Sequence, residues 1–224
     1  MPKYSVVILS HRWRTQPTMV QEAIASVLGQ TEQDVQVIVQ FCEENWGSKL
    51  NEAVNATRGE YVTILCDDDT IAPTFLEKCG KVIRAGAAIV HTDTLVLEDG
   101  QEPRHYRPYG ERFQHRDAYL MELNPLDDLY GNTMSMTFLC TRTLWDAMEG
   151  FDPTMPHAEC DFWARVVAAG SVCGYIPEPL YHYRQHPTQY HKARDQYRDF
   201  IAAFHAKHGY EPGTVEIRWQ TSPG

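Results

Sequence analysis

The segment Tyr61–Pro73, YVTILCDDDTIAP, places three aspartates directly after a run of β-forming residues. Three adjacent carboxylates repel one another, and this repulsion raises the pKa of at least some of them unless a cation lies nearby. Carboxylate oxygens are the ligands that Mg²⁺ and Mn²⁺ prefer in proteins. The segment therefore predicts a divalent-cation site at the end of a buried strand. The alternative is a solvated acidic turn ahead of the helix expected after Pro73.

The residues around this segment alternate between strand and helix patterns. Strands are expected at residues 4–9, 34–41, 60–65 and 87–97, and the helices between them are expected to begin near Thr15, Ser48 and Pro73. Such alternation predicts an α/β fold of right-handed βαβ units on a mainly parallel central sheet flanked by helices. Ligands of such sheets bind outside the carboxyl ends of the strands, where the three aspartates lie.

The second half of the chain is less regular. Residues 98–116 are polar and turn-rich, which predicts a loop or hairpin over the site. A helix is expected after Arg142, a second over 159–170, a strand over 171–176 followed by a separate extended segment, and a C-terminal helix ending at Gly209. We find no linker or repeat, so residues 1–224 are expected to form a single domain.

Composition limits the function classes. The net charge of −10 disfavours a generally basic nucleic-acid surface. Six scattered cysteines without a CxxC pair predict free thiols in a reducing compartment rather than a disulfide scaffold or zinc knuckle. The N-terminal apolar run is too short for a signal peptide, and no stretch reaches membrane-spanning length. These features predict a cytoplasmic protein that meets a membrane only through its substrate.

Two further groups of residues can be interpreted either as functional or as structural. Glu159 and Asp161 at a predicted helix start suit a general base or simple helix N-terminal charge, and the two readings are equally supported. In YHYRQH, Arg184 and His186 fall on the same side of an extended segment. They suit a diphosphate or its metal, or an aromatic-rich strand edge whose histidines are satisfied by backbone groups.

Four motifs in order carry a resemblance to a known family. They are EAIASVLGQT at 22–31, GEYVTILCDDDTIAPTFLEK at 59–78, GFDPTMPHAECDFWARVVAAG at 150–170 and YRQH at 183–186. From about Tyr4 to His186 the chain resembles the family-two, nucleotide-sugar-dependent inverting glycosyltransferases of GT-A fold. The resemblance implies a Rossmann-like domain with a nucleotide-sugar-binding half (1–97), an acceptor and catalytic half (98–186) and a C-terminal helix and tail (187–224).

The resemblance also implies a DXD-type site for Mn²⁺ or Mg²⁺. Cys66 stands where the family has its first aspartate, and Asp67 is expected to take over that role. Asp67, Asp69 and His186 are the expected metal ligands, with Asp67 or Asp68 nearer the donor sugar and ribose. The expected donor-binding residues are Ser10, His11, Arg12, Gln40, Asn51, Asp67, Asp68 and Arg184.

Catalytic and acceptor residues follow from the same resemblance. Glu159 or Asp161 is the expected base, and Asn132, Ser135 and Trp163 are the expected acceptor contacts. One departure is that the second strand ends without the aspartate that reads the nucleotide base, so Gln40, Glu43 or Glu44 is expected to substitute.

The resemblance implies metal-dependent, inverting transfer of a sugar from a nucleoside-diphosphate donor to an acceptor hydroxyl. The acceptor is a glycan, a lipid-linked sugar, a protein or a modified nucleic-acid base, the last disfavoured by the net charge. One alternative is a non-catalytic nucleotide-sugar-binding module. The other is a sugar-phosphate nucleotidyltransferase, which would need a glycine-rich phosphate loop that SHRWRTQP lacks.

Overall fold

Strands and helices alternate through the first half of the chain, as the sequence predicts. The computed structural model describes residues 1–11, 17–43, 45–108, 119–121 (backbone only), 135–155, 157–186, 203–204 and 206–209. The strands are β1 Tyr4–Ser10, β2 Val35–Phe41, β3 Tyr61–Cys66, β4 Thr70–Ile71, β5 Ile89–Glu98, β6 Arg104–Tyr106, β7 Tyr119–Met121, β8 Leu139–Thr141 and β9 Cys173–Gln185. The helices are α1 Pro17–Leu28, α2 Trp46–Asn55, α3 Phe75–Arg84, α4 Arg142–Ala147 and α5 Ala158–Ala168. The predicted α/β class is confirmed.

The strands form one mixed sheet. Within the described residues its order is β2-β1-β3-β8-β5-β9-β4, with β6 on β5 and β7 on β9. The long ladders of β1 with β2 and β3, and of β5 with β9, are parallel, in agreement with the prediction. The short strand β8 lies antiparallel between β3 and β5. Its three residues are too few for a periodic pattern, so its direction could not be predicted.

Helices cover both faces of the sheet, which explains why β1 is buried along its whole length. Alternate strand residues point to opposite faces. Val7 and Leu9 pack in one apolar cluster with α2 and α5, and Val6 and Ile8 pack in another with α1 and α3. The register aligns the carboxyl ends of the first three strands, because Ser10 pairs with Phe41 and Leu9 pairs with Cys66. These ends form the edge at which the acidic segment lies.

The second half departs from prediction at β9. The expected strand and separate extended segment are one strand of 13 residues, with an irregular register where Asp93 of β5 pairs with Pro179. A proline has no N–H to donate, so the ladder is interrupted there without ending. β6 folds back antiparallel on β5, which confirms a hairpin in the described part of 98–116. The predicted C-terminal helix lies largely outside the described residues.

Of two smaller predictions, the one for the cap of α2 is wrong and the one for the cysteines is confirmed. Ser48 was expected to cap α2, but the cap is Asn45, whose side chain accepts a hydrogen bond from the Ser48 backbone N–H at 3.2 Å. Asparagine adopts the left-handed backbone conformation seen here, with φ of 52°, more readily than most residues. All six cysteines are free thiols, as expected.

Gly59, just before β3, approaches β1 closely. Its N–H donates to Ser5 Oγ at 2.9 Å, and a Cβ here would lie 2.7 Å from the Ser5 nitrogen. We expect Gly59→Ala to lower the free energy of unfolding by about 1–3 kcal/mol, since backbone must move to make room. In Gly47→Ala the atom nearest to the added Cβ would be 3.5 Å away. This control should be neutral or stabilising by up to about 1 kcal/mol. Urea unfolding followed by circular dichroism measures both; equal effects would contradict the argument.

Candidate functional site

The acidic turn after β3 begins with a residue that ties two strands together. The Asp67 backbone N–H donates to the Leu9 carbonyl at 3.0 Å, which extends the pairing of β3 with β1 beyond the strand end. The Asp67 carboxylate is buried and accepts a hydrogen bond from the His11 N–H at 3.0 Å. This aspartate therefore fixes the end of β1 against the turn.

The third aspartate of the turn is held by β9. The Asp69 carboxylate accepts the Arg184 backbone N–H at 2.8 Å through one oxygen and the Tyr181 hydroxyl through the other. β4 follows directly and pairs antiparallel with β9, so that Thr70 lies opposite His182. The buried carboxylate thus has two fixed donors from a strand that is 112 residues away in sequence.

Potential metal ligands converge at this turn. Among the described residues, the Cys66 Sγ and carboxylate oxygens of Asp68 and Asp69 all lie within 4.8 Å of one another. The predicted ligand His186 lies beside them, with its Nε2 3.0 Å from an Asp68 oxygen. Asp67 was expected to be a metal ligand, but its carboxylate is outside this group and turned to the His11 amide. The structure therefore favours Cys66 over Asp67 in the ligand set.

Negative charge is concentrated at the turn. Burial raises the pKa of Asp69 well above its usual range, and the neighbouring Asp68 charge raises it further. The Tyr181 and Arg184 hydrogen bonds oppose this rise only in part. Burial also raises the pKa of the Cys66 thiol, with further contributions from Asp68, Asp69, Asp67 and Glu159. The predicted repulsion is present, and a divalent cation fits a set of anionic oxygen and sulfur donors of this kind.

Glu159 lies in the first turn of α5, near enough to Cys66 for its charge to contribute to the raised pKa of that thiol. The side chain is only 13% exposed. One oxygen lies 3.3 Å from the His157 Nδ1, and the other, Oε2, is buried without a hydrogen-bond partner among the described residues. A carboxylate that is oriented on one oxygen and unpartnered on the other is suited to accept a proton from a bound hydroxyl.

Asp161 was the other candidate base, and the structure gives it a different role. Its carboxylate is fully buried and bonded to Arg165 Nε at 2.8 Å, His208 Nε2 at 2.9 Å and Lys207 Nζ at 2.7 Å. Burial alone would raise the pKa of Asp161, but the hydrogen bonds from His208 and Lys207 and the Arg165 charge outweigh it. The pKa falls to about 2. A carboxylate that is paired with Arg165 and Lys207 and is also bonded to His208 is a poor proton acceptor, so the geometry favours Glu159 as the base.

The predicted donor-binding residues divide into two groups. Ser10, His11 and Gln40 lie at the carboxyl ends of β1 and β2, next to the acidic turn. Asn51 does not join them, because its amide bonds both the N–H and the carbonyl of Phe151 at 2.9 and 2.8 Å. Those contacts give Asn51 a structural role that joins α2 to the segment before α5. Arg12 lies outside the described residues.

Arg184 contributes two different groups. Its backbone N–H holds Asp69, while its guanidinium forms a 2.6 Å ion pair with Glu22 of α1. The Glu22 side chain is 56% exposed, and exposed ion pairs contribute little to stability. The guanidinium therefore lies against α1, while the backbone of the same residue holds the acidic turn.

The predicted acceptor contacts are corrected at Trp163. The ring has no exposed surface, packs edge-on against His91 and Phe138, and donates its indole N–H to the Ser135 carbonyl at 3.3 Å. Trp163 thus positions Ser135 from beneath and cannot touch an acceptor. Ser135 remains partly exposed, and Asn132 lies outside the described residues.

Sequence reasoning missed three residues of this site. Tyr181 and His157 orient the Asp69 and Glu159 carboxylates, and Cys66 was treated as a lost ligand. Tyr181 and His157 each lie two or three residues from a predicted site residue, but any buried tyrosine or helix-flanking histidine has that spacing. Only the fold reveals what they contact.

Comparisons with known proteins identify the family and the fold of the chain. A sequence model of the family described as Glycosyltransferase like family 2 matches residues 1–199. A sequence search of curated proteins found no match. None of the described helices is long and apolar enough to cross a membrane.

Solved structures with the same fold include two nucleotide-sugar complexes. S. aureus TarS 1–349 with UDP-GlcNAc has a TM-score of 0.65 at 15% identity, over 88% of this chain and 64% of that one. Mannosyltransferase PcManGT from Pyrobaculum calidifontis with GDP-Man and Mn²⁺ has a TM-score of 0.65 at 13% identity, over 94% of this chain and 65% of that one. S. aureus TarS itself has a TM-score of 0.63 at 14% identity, over 92% of this chain but only 39% of that one. The chain thus spans less than two thirds of each of these proteins.

The hydrogen bonds and charges that surround Asp161 make a pH-dependent contribution to stability. A carboxyl whose pKa falls from about 3.9 in the unfolded chain to about 2 adds on the order of 2 kcal/mol. That contribution is complete above the unfolded pKa and is lost as the pH falls through about 2. We expect Asp161→Asn to be less stable than wild type at pH 7, with a difference that shrinks between pH 5 and pH 2. Urea unfolding at several pH values measures this difference in the free energy of unfolding, with the exposed Asp99→Asn as control. A pH-independent difference would contradict the argument.

Proposed function

Because the chain belongs to the glycosyltransferase-like family 2, we propose that it transfers a sugar from a nucleoside-diphosphate donor to an acceptor hydroxyl. The observation that carries this proposal is that an acidic cluster follows β3 and that Glu159, with one unpartnered carboxylate oxygen, lies near enough for its charge to raise the pKa of Cys66. The side chains of the acidic turn suit the binding of a cation and a diphosphate, and the carboxylate of Glu159 suits a proton transfer. A protein that only binds nucleotide sugars would need the first group alone.

The donor class is supported by the structural neighbours. TarS 1–349 binds UDP-GlcNAc, and PcManGT binds GDP-Man. In this chain the donor would lie along the carboxyl ends of β1, β2 and β3, where Ser10, His11 and Gln40 line the edge. Gln40 is one of the residues, with Glu43 and Glu44, expected to substitute for the aspartate that reads the nucleotide base, and an amide can both donate and accept hydrogen bonds.

We assign the cation to Asp68, Asp69, Cys66 and His186, and expect Mn²⁺ or Mg²⁺ when the donor is bound. PcManGT, a neighbour of the same fold, holds Mn²⁺. When bound, a divalent cation supplies Lewis-acid stabilisation of the negative charge on the departing diphosphate. The chain's own contribution is to hold Asp69 rigidly through the Tyr181 hydroxyl and the Arg184 N–H.

The transfer step assigned to the chain is an inverting displacement. The Oε2 of Glu159 takes the proton of the acceptor hydroxyl while that oxygen bonds to the anomeric carbon. The bond from that carbon to the diphosphate breaks on the opposite face, so its configuration inverts. His157 keeps the other Glu159 oxygen oriented, which aims Oε2 at the acceptor. Arg184 can exchange Glu22 for the charge that develops on the leaving group, where such a cation helps most.

The acceptor binds on the side of α5, next to Ser135 and the buried Trp163. Candidate acceptors are a glycan, a lipid-linked sugar, a protein and a modified nucleic-acid base. The net charge of −10 disfavours the nucleic acid. Acceptor binding that weakened steeply with added salt would instead favour a nucleic-acid acceptor.

The role of Glu159 is tested by Glu159→Gln, which keeps the size of the side chain and removes the base. We expect kcat to fall by about 100-fold or more, the usual contribution of a general base, with donor affinity unchanged. Release of nucleoside diphosphate from a panel of sugar donors and acceptors measures kcat. The exposed Glu149→Gln serves as control and should match wild type. Undiminished turnover in Glu159→Gln would sink the assignment, and donor binding without turnover in wild type would favour the binding module.

The role of the acidic turn is tested by Asp69→Asn. We expect wild type to bind a UDP- or GDP-sugar more tightly with Mn²⁺ than without, because the cation screens the diphosphate from the aspartates. The variant should lose this cation-dependent gain, while Asp99→Asn should retain it. Isothermal titration calorimetry with a panel of nucleotide sugars, with and without Mn²⁺, measures the difference. Equal donor affinity with and without the cation in wild type would contradict a metal-dependent site.

A further inference from the structure

A second group of polar side chains lies outside the acidic turn, on β5, β6 and β9. The Asp93 carboxylate has no exposed surface. One of its oxygens accepts a hydrogen bond from the Tyr175 hydroxyl, and the other lies 2.7 Å from His105 Nε2. The His105 side chain is 28% exposed. A buried carboxylate thus orients a histidine ring that reaches the surface, and the proposed transfer step uses neither group.

The register of the sheet places Asp93 level with the end of β3. Val62 of β3 and Ile89 of β5 both pair with Cys140 of β8, and both pack in the apolar cluster that includes α5 residues. Four residues further along the same direction lie Cys66 in β3 and Asp93 in β5. An even number of residues along a strand returns a side chain to the same face. Cys66 and Asp93 therefore share the face that α5 covers.

The packing of α5 places Glu159 on that same side of the sheet. Trp163 packs edge-on against His91 of β5, with ring centroids 5.7 Å apart. Glu159 lies one helical turn before Trp163, and Asp93 lies two residues after His91. Both steps lead toward the carboxyl ends of the strands, since the Glu159 charge contributes to the raised pKa of Cys66. The Asp93 group therefore lies at the edge and on the side where the acceptor is proposed to bind.

The carboxylate decides which nitrogen of His105 carries a proton. Burial raises the pKa of Asp93, and the hydrogen bonds from Tyr175 and His105 oppose that rise. An ionised carboxylate only accepts hydrogen bonds, so Nε2 of His105 donates. In the neutral ring the other nitrogen, Nδ1, is then a hydrogen-bond acceptor. Among the described residues Nδ1 has no hydrogen-bond partner. The ring thus offers a fixed acceptor atom to a bound molecule.

We propose that His105 is an acceptor-binding residue, whose Nδ1 accepts a hydrogen bond from an acceptor hydroxyl other than the one that reacts. Asp93 and Tyr175 are positioning residues that orient the ring. The proposal rests on the proposed function, in which Glu159 takes the proton of the reacting hydroxyl. A serine or threonine side chain offers only one hydroxyl, whereas a sugar offers several. The proposal therefore selects a glycan or a lipid-linked sugar from the candidate acceptors.

The first experiment tests the orientation of the ring and does not depend on turnover. In ¹⁵N NMR spectra of the full-length chain, the ring signals of His105 are identified by their loss in His105→Gln. We expect the neutral ring to carry its proton on Nε2 in wild type and in Glu102→Ala, a control at an exposed position of the same hairpin. Asp93→Asn should show both tautomers, because an amide can donate to the ring or accept from it. A proton on Nδ1 in wild type overturns the proposal, and an unchanged tautomer in Asp93→Asn overturns the positioning role.

The second experiment measures acceptor recognition. The probes are methyl glycosides of common sugars and, for comparison, a peptide with serine and threonine, each with a panel of nucleotide sugars and Mn²⁺. Release of nucleoside diphosphate gives the KM for the acceptor and kcat. We expect His105→Ala to raise this KM by about three- to tenfold, the contribution of one hydrogen bond, with a smaller change in kcat. His105→Gln, whose amide oxygen also accepts, should recover part of the loss, and Glu102→Ala should match wild type. Unchanged donor affinity in calorimetry shows that His105→Ala is folded.

Monodeoxy analogues of the best sugar acceptor separate a direct contact from a structural role. For one analogue, wild type and His105→Ala should have the same KM, because the hydroxyl that His105 binds is missing. An equal effect of His105→Ala on every analogue means that the residue only holds the hairpin, which overturns the proposal. Turnover with the peptide and with none of the sugars also overturns it, but leaves the proposed function intact. Absence of wild-type turnover with every acceptor overturns the proposed function and this proposal with it.

Discussion

The Asp69 carboxylate is buried and accepts hydrogen bonds from two donors of β9. The position of β9 in the sheet brings these donors to the carboxylate. A buried carboxylate is costly unless it is hydrogen-bonded or paired. The Arg184 N–H and the Tyr181 hydroxyl meet part of that cost, and β4 keeps the turn in register with β9. The raised pKa of Asp69 shows that the compensation is incomplete. Part of the cost of burying the Asp69 charge therefore remains, and a bound cation would offset it.

The same reasoning separates the two acids of α5, which lie only two residues apart. Asp161 faces Arg165, Lys207 and His208, so its charge is balanced within the protein and its pKa is lowered. Glu159 has one oxygen beside His157, and its other oxygen has no hydrogen-bond partner among the described residues. A fully satisfied carboxylate stabilises a structure, whereas a partly satisfied one retains the capacity to react. The surroundings of each carboxylate therefore account for the structural role of Asp161 and for the choice of Glu159 as the proposed base.

The acidic turn brings the Cys66 thiol beside the carboxylates of Asp68 and Asp69. Cys66 occupies the last position of β3, so the strand itself aims its sulfur at the turn. Asp67, next in the chain, points instead toward β1 and joins the strand ends. The alternation of side chains along an extended backbone accounts for this division of roles. The three aspartates and the cysteine consequently serve at least two purposes, one of them purely structural.

The α/β class, the position of the strands and helices that face the core, and the acidic edge of the sheet were determined by the sequence itself. Hydrophobic periodicity and the order of the motifs are local properties, and local properties suffice for these features. The direction of β8, the continuity of β9 through its irregular register, and the partners of Asn51, Asp161 and Trp163 were decided only by the tertiary structure. Each of these depends on contacts between residues far apart in the chain. No sequence pattern records which distant donor reaches a carboxylate, so the contacts of Cys66 and Tyr181 and the distinction between Glu159 and Asp161 became visible only once the strands were assembled.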